Sequence, residues 1–387
     1  MRVALLYPQP DAVSPANWSG IPSGLARGLE ACGIDVVPVG ARLPLGMHQA
    51  VAVLSRIGGR RGAVADRMPV RQWARTRVLT ENLARVAGSL DAVIAMGTEM
   101  YDLAAVRYPH VPVATFDDGT LRQMWDNPDS DIRQSRFPED QVKLWFDRQA
   151  ASSRAADVCC VSTGWAARSF VADYGVSSAR VSVVGMGHRP RAVSSSVVSA
   201  SAGPRDWSVP RFLFIGVDWQ RKNGAAVLAA FAELRTIVPS ATLDIVGRHP
   251  PIDQAGVTGH GFLPREQPQA QALLDGLFSA ATVFVLPSRF DPSPIAYLEA
   301  ASAGLPVIAT SEGGAGELLG AAAITVHPDD RAALVSAMVR LADPGVARAM
   351  GEEAALRARS ASWSGVAQRI LLALDIPVDL PVRGGVR

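Results

Sequence analysis

The stretch FDPSPIAYLEAASAGLPVIATSEGG, residues Phe290 to Gly314, fixes the architecture of the chain around it. It opens as loop, because the prolines and the Ser and Asp residues of PSRFDPSP favour turns over a regular ladder. Ile295, Leu298 and Ala301 then fall at helical spacing, so a short helix is expected after Pro294, carrying Glu299 and ending at Ala303-Gly304. Pro306 follows, and Val307 to Thr310 reads as a buried parallel strand. Loop, helix, glycine and strand in this order make one unit of a doubly wound α/β sheet. The start of the helix exposes free backbone N–H groups beside Asp291, an arrangement suited to phosphate. Two carboxylates, Asp291 and Glu299, stand in the same stretch with seven residues between them.

This loop, helix and strand resemble the nucleotide-sugar site of retaining GT-B glycosyltransferases of family 4, the group 1 type, in which two Glu are separated by seven residues. Here Asp291 takes the first place, one methylene shorter, and Glu299 the second. The resemblance implies that the first acid contacts the hydroxyls of the transferred sugar and the second holds the ribose. It brings Ser293, Pro294 and Ile295 into the donor site with them. The alternative for the string alone is a buried capping pair in an α/β domain.

Working outward, RFLFIGVDWQRKNG supplies a strand over Arg211 to Ile215, a loop, and a helix from Gly224. Arg221 and Lys222 therefore sit at a βα junction, where two cations beside helix N–H groups suit a diphosphate. The family has a Lys-Gly pair here, matched by Lys222 and, one residue later, Gly224. Val217 stands where family members often carry Arg, a loss that Arg221 would offset. ATLDIVGR and VTGHGFLP are two further strands and turns, and the resemblance places Gly216, Gly247, Phe262 and Leu263 near the donor.

The N-terminal half repeats the pattern. Val3 to Leu6 is a strand, the loop containing Ser19 and Gly20 precedes a helix expected over Leu25 to Ala31, and Ile34 to Val39 is the next strand. No GxGxxG spacing is present, which argues against a dinucleotide enzyme. The resemblance makes Ser19 and Gly20 candidates for the donor phosphates, a plain strand-to-helix turn being the alternative. Val111 to Thr120 is a strand ending in Asp117-Asp118, where the family commonly has His-Asp, so Asp118 is a candidate for sugar or acceptor contact. Residues 55–77 hold seven arginines and one acid. They read as a solvated arm, with an anionic-acceptor or membrane-surface patch as the alternative. His188 reads as a hinge or surface residue.

The expected layout is an N-terminal acceptor-binding Rossmann-like domain over 1–190, a Ser-, Ala- and Pro-rich linker over 191–210, a C-terminal nucleotide-sugar domain over 211–365, and a terminal helix and frayed tail over 366–387. The fold class is α/β, GT-B, with two doubly wound parallel-sheet domains facing a central cleft, and in that fold the terminal helix returns to the first domain. The 387 residues suffice for two such cores.

Charged residues make up 19% and the formal net charge is +2, so nothing calls for a nucleic-acid partner. Three cysteines, two of them adjacent, give neither a disulfide framework nor metal-ligand spacing. The opening MRVALLYPQP reads as a first strand, no run reaches membrane-spanning length, and a cytoplasmic protein is expected, with peripheral membrane contact left open.

The function implied is transfer of a sugar from a nucleoside-diphosphate sugar to the hydroxyl of a small-molecule, lipid or glycan acceptor, with retention of anomeric configuration. Neither metal nor cofactor is expected. Asp291, Asp118, Arg221 and Lys222 are the catalytic candidates, Arg221 and Lys222 stabilising the departing diphosphate. The competing readings are an epimerase or phosphorylase of the same architecture and a non-catalytic nucleotide-sugar-binding protein. A phosphorylase needs a pyridoxal lysine in a recognisable context, and turnover distinguishes the binding protein.

Overall fold

The protein is described from a computed structural model covering residues 1–57, 68–106, 110–134, 137–191 and 205–377. The expected tail and most of the expected linker, 192–204, lie outside the described residues, as does the central part of the arginine-rich segment. Internal contacts divide the chain into two units, Met1–Gly187 with Trp363–Arg387, and His188–Ser362.

The first unit is built on six parallel strands, β1 (Arg2–Tyr7), β2 (Asp35–Gly40), β3 (Ala92–Met96), β4 (Val113–Asp117), β5 (Val158–Val161) and β6 (Val181–Val183), in the order β2-β1-β3-β4-β5-β6. Strands β3, β4 and β5 are buried at every residue. Helices cover both faces of a parallel sheet, so β3 and β5 read as continuous apolar runs, while β4 buries Thr115 and Asp117 among its apolar residues. The helices between them are α1 (Ile21–Ala31), α2 (Leu45–Ile57), α3 (Pro69–Ala84), α4 (Leu121–Asp126), α5 (Asp131–Gln134), α6 (Glu139–Ala155) and α7 (Gly164–Ala172).

Two expectations need correction here. Helix α1 begins at Ile21, four residues early, because Pro22 suits the first turn and Ile21 to Ala26 are all buried. The arginine-rich segment is not simply a solvated arm: its end forms part of α3, and Arg75 is only 4% exposed.

The second unit carries β7 (Arg211–Ile215), β8 (Thr242–Val246), β9 (Val257–Gly261), β10 (Val283–Val285), β11 (Val307–Thr310) and β12 (Ala323–Val326), in the order β12-β11-β10-β7-β8-β9 and parallel throughout. This is the doubly wound order that reverses direction between its first and fourth strands, β7 and β10. Ligands of such sheets bind outside the carboxyl ends at that switch point. Its helices are α8 (Gly224–Ile237), α9 (Pro268–Ala280), α10 (Ile295–Ser302), α11 (Arg331–Leu341) and α12 (Pro344–Ser360). Buried Tyr297 pins α10 between two strands: its hydroxyl donates to the Leu286 carbonyl at 2.7 Å and accepts from the Thr310 N–H at 2.9 Å.

The chain then returns to the first unit as α13 (Trp363–Ala373), which packs along α1 and buries Val366, Ala367, Ile370 and Leu371. The unit boundaries fall at Gly187/His188 and Ser362/Trp363.

Candidate nucleotide-sugar site

At the switch point of the second sheet, the loop after β7 brings Arg221 and Lys222 against the loop after β10. Lys222 Nζ donates to Asp291 Oδ2. Arg221 Nη1 donates to the Phe290 carbonyl at 3.0 Å and lies 3.6 Å from the same Asp291 oxygen. A backbone bond from Arg289 N to the Arg221 carbonyl, 2.8 Å, ties the two loops together. Gly216 matters here because a Cβ would fall 2.8 Å from Lys222 Cβ, so the lysine stem rests on bare backbone. Gly313 plays the same part for the other loop: it has φ +79°, and a Cβ would stand 2.3 Å from the Asp291 carbonyl oxygen.

The Lys222 side chain is 14% exposed and that of Asp291 10%. Burial draws the Lys222 ammonium below its usual range and Arg221 acts in the same sense, while Asp291 opposes both. The cluster is thus a basic pair, Lys222 largely buried and Arg221 partly so, facing the Asp291 carboxylate, with Asp218 Oδ2 a further 3.9 Å from Arg221 Nε.

Beside it, Pro294 precedes the first turn of α10, and the Ser293 hydroxyl is buried with no hydrogen-bond partner among the described residues. Glu299 lies on the fifth position of α10 and is 4% exposed. Its Oε2 accepts from Arg191 Nη2 at 3.1 Å, whereas Oε1 is buried without a partner among the described residues. Gly247 has φ +133°, and its Cα lies so close to the Gly216 carbonyl that a Cβ has no room. Phe262 is 48% exposed with the Arg248 guanidinium 5.3 Å from its ring centroid, and Leu263 is half-buried next to it.

Ser19, Gly20 and Asp118 belong to the first unit. Trp18, Ser19 and Gly20 have successive positive φ values of 37°, 56° and 84°, directly before α1 at the carboxyl end of β1. Asp118 follows β4, and its neighbour Asp117 is 3% exposed. Burial, with Glu99 and Asp118 adding repulsion, drives the Asp117 carboxyl well above the ordinary range, and a bond from Thr98 Oγ1 at 3.4 Å offsets this in part.

Arg191 escaped the sequence reading, and the surface alternative given for His188 does not hold. Arg191 appeared there only as the first residue of the linker, yet its side chain is 2% exposed and pairs with both Glu299 and Asp275. His188 is not a surface residue: it is 4% exposed, its Nδ1 donates to the Ala361 carbonyl at 2.7 Å, and burial lowers its pKa. Neither has a local signal, because the partners lie 108 and 173 positions away. Among the described residues no cluster of three or more His, Cys, Asp or Glu is placed to hold a metal ion, and no helix is long and apolar enough to cross a membrane.

Two doubly wound parallel sheets, one with a basic pair at its switch point, define an α/β protein of the GT-B class. Residues 209–343 match the model of the family described as Glycosyl transferases group 1. A GDP-mannose-dependent alpha-(1-6)-phosphatidylinositol monomannoside mannosyltransferase of Mycolicibacterium smegmatis is 34% identical over 148 residues, which span 34% of this chain and 38% of the relative. Among solved structures, a sucrose-phosphate synthase from Thermosynechococcus elongatus superposes with TM-score 0.66 at 17% identity, covering 96% of this chain and 97% of the other. A trehalose-6-phosphate synthase studied for glycosyltransfer with retention gives TM-score 0.67 at 11% identity, covering 97% and 99%. At such identities the two structures speak for fold alone. The resemblance to group 1 glycosyltransferases drawn from Phe290 to Gly314 is borne out, and the fold class is GT-B.

Proposed function

We propose that the chain is a glycosyltransferase that takes its donor as a nucleoside-diphosphate sugar at the β7/β10 switch point and transfers the sugar with retention, without a metal ion. The observation that carries the reading is the partly buried Arg221–Lys222 pair beside the start of α10. Backbone N–H groups and two cations there supply the charge a diphosphate needs. Donor arrival exchanges partners: Lys222 leaves Asp291 for the diphosphate, and the released carboxylate turns to the sugar hydroxyls. The ribose falls to Oε1 of Glu299, the oxygen without a partner among the described residues. Ser293 and the N–H groups of Ile295 and its neighbours take the distal phosphate, while Phe262 and Leu263 flank the base. Ser19, Gly20 and Asp118 of the first unit are assigned to donor phosphate, sugar or acceptor.

In the reaction the bond from the anomeric carbon to the diphosphate oxygen breaks, the acceptor oxygen bonds to that carbon on the same face, and the acceptor proton passes to the departing phosphate. Lys222 and Arg221 stabilise the charge that develops on it. Retention follows the resemblance drawn from Phe290 to Gly314, and the mycobacterial relative makes GDP-mannose with a mannosylated lipid acceptor the first pair to assay. A cytoplasmic location fits such a donor.

The test is thermal unfolding with a panel of nucleoside-diphosphate sugars, followed by transfer assays with and without a chelator. A true donor at about 100 times its Kd stabilises the fold by about 2.7 kcal/mol. Absence of any such shift across the panel defeats the donor reading. Transfer abolished by chelation and restored by a divalent ion defeats metal independence.

A further inference from the structure

We propose that Arg191 is a positioning residue for the donor ribose, holding one oxygen of Glu299 so that the other stays aimed at the ribose hydroxyls. Its guanidinium is a hub within the second unit. Nη2 donates to Glu299 Oε2 at 3.1 Å, Nη1 donates to Asp275 Oδ1 at 2.9 Å and to Gln271 Oε1 at 3.3 Å, and the plane lies 5.1 Å from the Phe278 ring centroid. The Arg191 N–H also donates to Ser302 Oγ at 3.1 Å, and that hydroxyl donates to the Glu299 carbonyl at 2.7 Å, so backbone and side chain are fixed against the same helix.

With its side chain 2% exposed, Arg191 cannot swing to solvent, and the ring and Gln271 leave it one orientation. Its planar fork is directional in a way that an ammonium is not. Glu299 is thereby locked by one oxygen only. The other, Oε1, is buried and has no partner among the described residues, an arrangement that costs stability unless something comes to fill it. A vicinal diol is suited to that oxygen, since both of its hydroxyls can donate. Asp275 shares the cation and so limits how strongly Arg191 itself competes for Glu299.

This inference rests on the assignment of ribose to Glu299, and the experiment separates the two. Isothermal titration compares GDP and UDP with their 2′,3′-dideoxy counterparts on the full chain and on Glu299→Gln, Arg191→Met and Arg191→Lys. The intact protein prefers the ribose forms. Glu299→Gln and Arg191→Met each lose affinity for the ribose forms by about tenfold or more, the scale of one charge-assisted hydrogen bond, and leave the dideoxy forms nearly unchanged. Arg191→Lys retains the charge but not the fork, so the fold is kept and the preference is still lost. Should Arg191→Met fail to fold, Arg191→Lys decides. A preference unchanged in the Arg191 variants but lost in Glu299→Gln overturns the role of Arg191 alone. A preference unchanged in Glu299→Gln overturns the ribose assignment, and an intact protein that binds none of the four nucleotides overturns the donor reading beneath both.

Discussion

Lys222 faces two demands that pull apart. Burial favours the neutral amine, while the carboxylate of Asp291 favours the ammonium, the form that the proposed diphosphate site requires. On the proposed donor site, Lys222→Ala removes an interaction with both the bound diphosphate and the leaving group, and the transition-state stabilisation read from kcat/KM should fall by about 2–4 kcal/mol, the scale of other preorganised donors to a developing anion. Titration of the free diphosphate beside the transfer assay checks this, and unchanged kinetics in a folded variant would remove Lys222 from the site. Asp117 makes a different demand. Its folded-state pKa is raised by burial and by Glu99 and Asp118, so the folded protein holds a proton that the unfolded chain releases. The stability contributed is fully present below the unfolded value of about 3.9 and is lost as pH rises through the folded value. Asp117→Asn keeps an acceptor for Thr98 without the charge. Its denaturant midpoint should exceed that of the parent at neutral pH, with the gain vanishing near pH 4; an offset that is the same at every pH would refute the buried-acid account.

Helix α1 owes its position to absent side chains. A Cβ at Gly28 would stand 2.3 Å from the Trp363 carbonyl oxygen, and one at Gly24 would stand 2.3 Å from the Trp363 ring, so the first residue of α13 sits against bare backbone. Alanine is the better helix former by about 1 kcal/mol. Gly28→Ala should nevertheless destabilise by roughly 1–3 kcal/mol, because the contact is with main chain and cannot rotate away. A denaturation midpoint at or above the parent value would mean that α13 can shift at little cost. Such contacts also mark where the sequence stops being readable. The strand Val307–Thr310 and the helix Ile295–Ser302 announce themselves by local pattern, since a buried parallel strand must be apolar throughout and a capped helix must show its spacing. The meeting of Lys222 with Asp291, 69 positions apart, is readable one step further, because a doubly wound sheet sets the ends of its first and fourth strands side by side. The Glu299–Arg191 pair follows from no such rule, and Gly28 looks like nothing more than a weak point in a helix until Trp363 is placed on it.

Across the whole chain the path crosses between units twice, and the two crossings are stitched together on the second unit. His188 and Ser362 form a parallel bridge, with the His188 ring hydrogen-bonded to Ala361. Beyond Ser362 the helix α13 belongs to the first unit: it buries Val366, Ile370 and Leu371, and Arg369 Nε donates to the Val184 carbonyl at 2.6 Å. Full burial of three such aliphatic side chains contributes roughly 5–9 kcal/mol, comparable with the net stability of an entire domain. Removal of residues 363–387 should therefore unfold or severely weaken the first unit although its sheet is untouched, while the second unit, which has its own sheet and core, should retain its stability. Hydrogen exchange resolves the two, since protection should collapse in β1, β3 and β5 and persist in β7, β10 and β11. A nucleoside diphosphate should still protect the loops after β7 and β10 in the shortened chain, because Arg221, Lys222, Asp291, Glu299 and Arg191 all lie within the surviving unit. Equal loss of protection in both sheets would show that the units do not fold independently, and retention in both would show that α13 is dispensable to the core it covers.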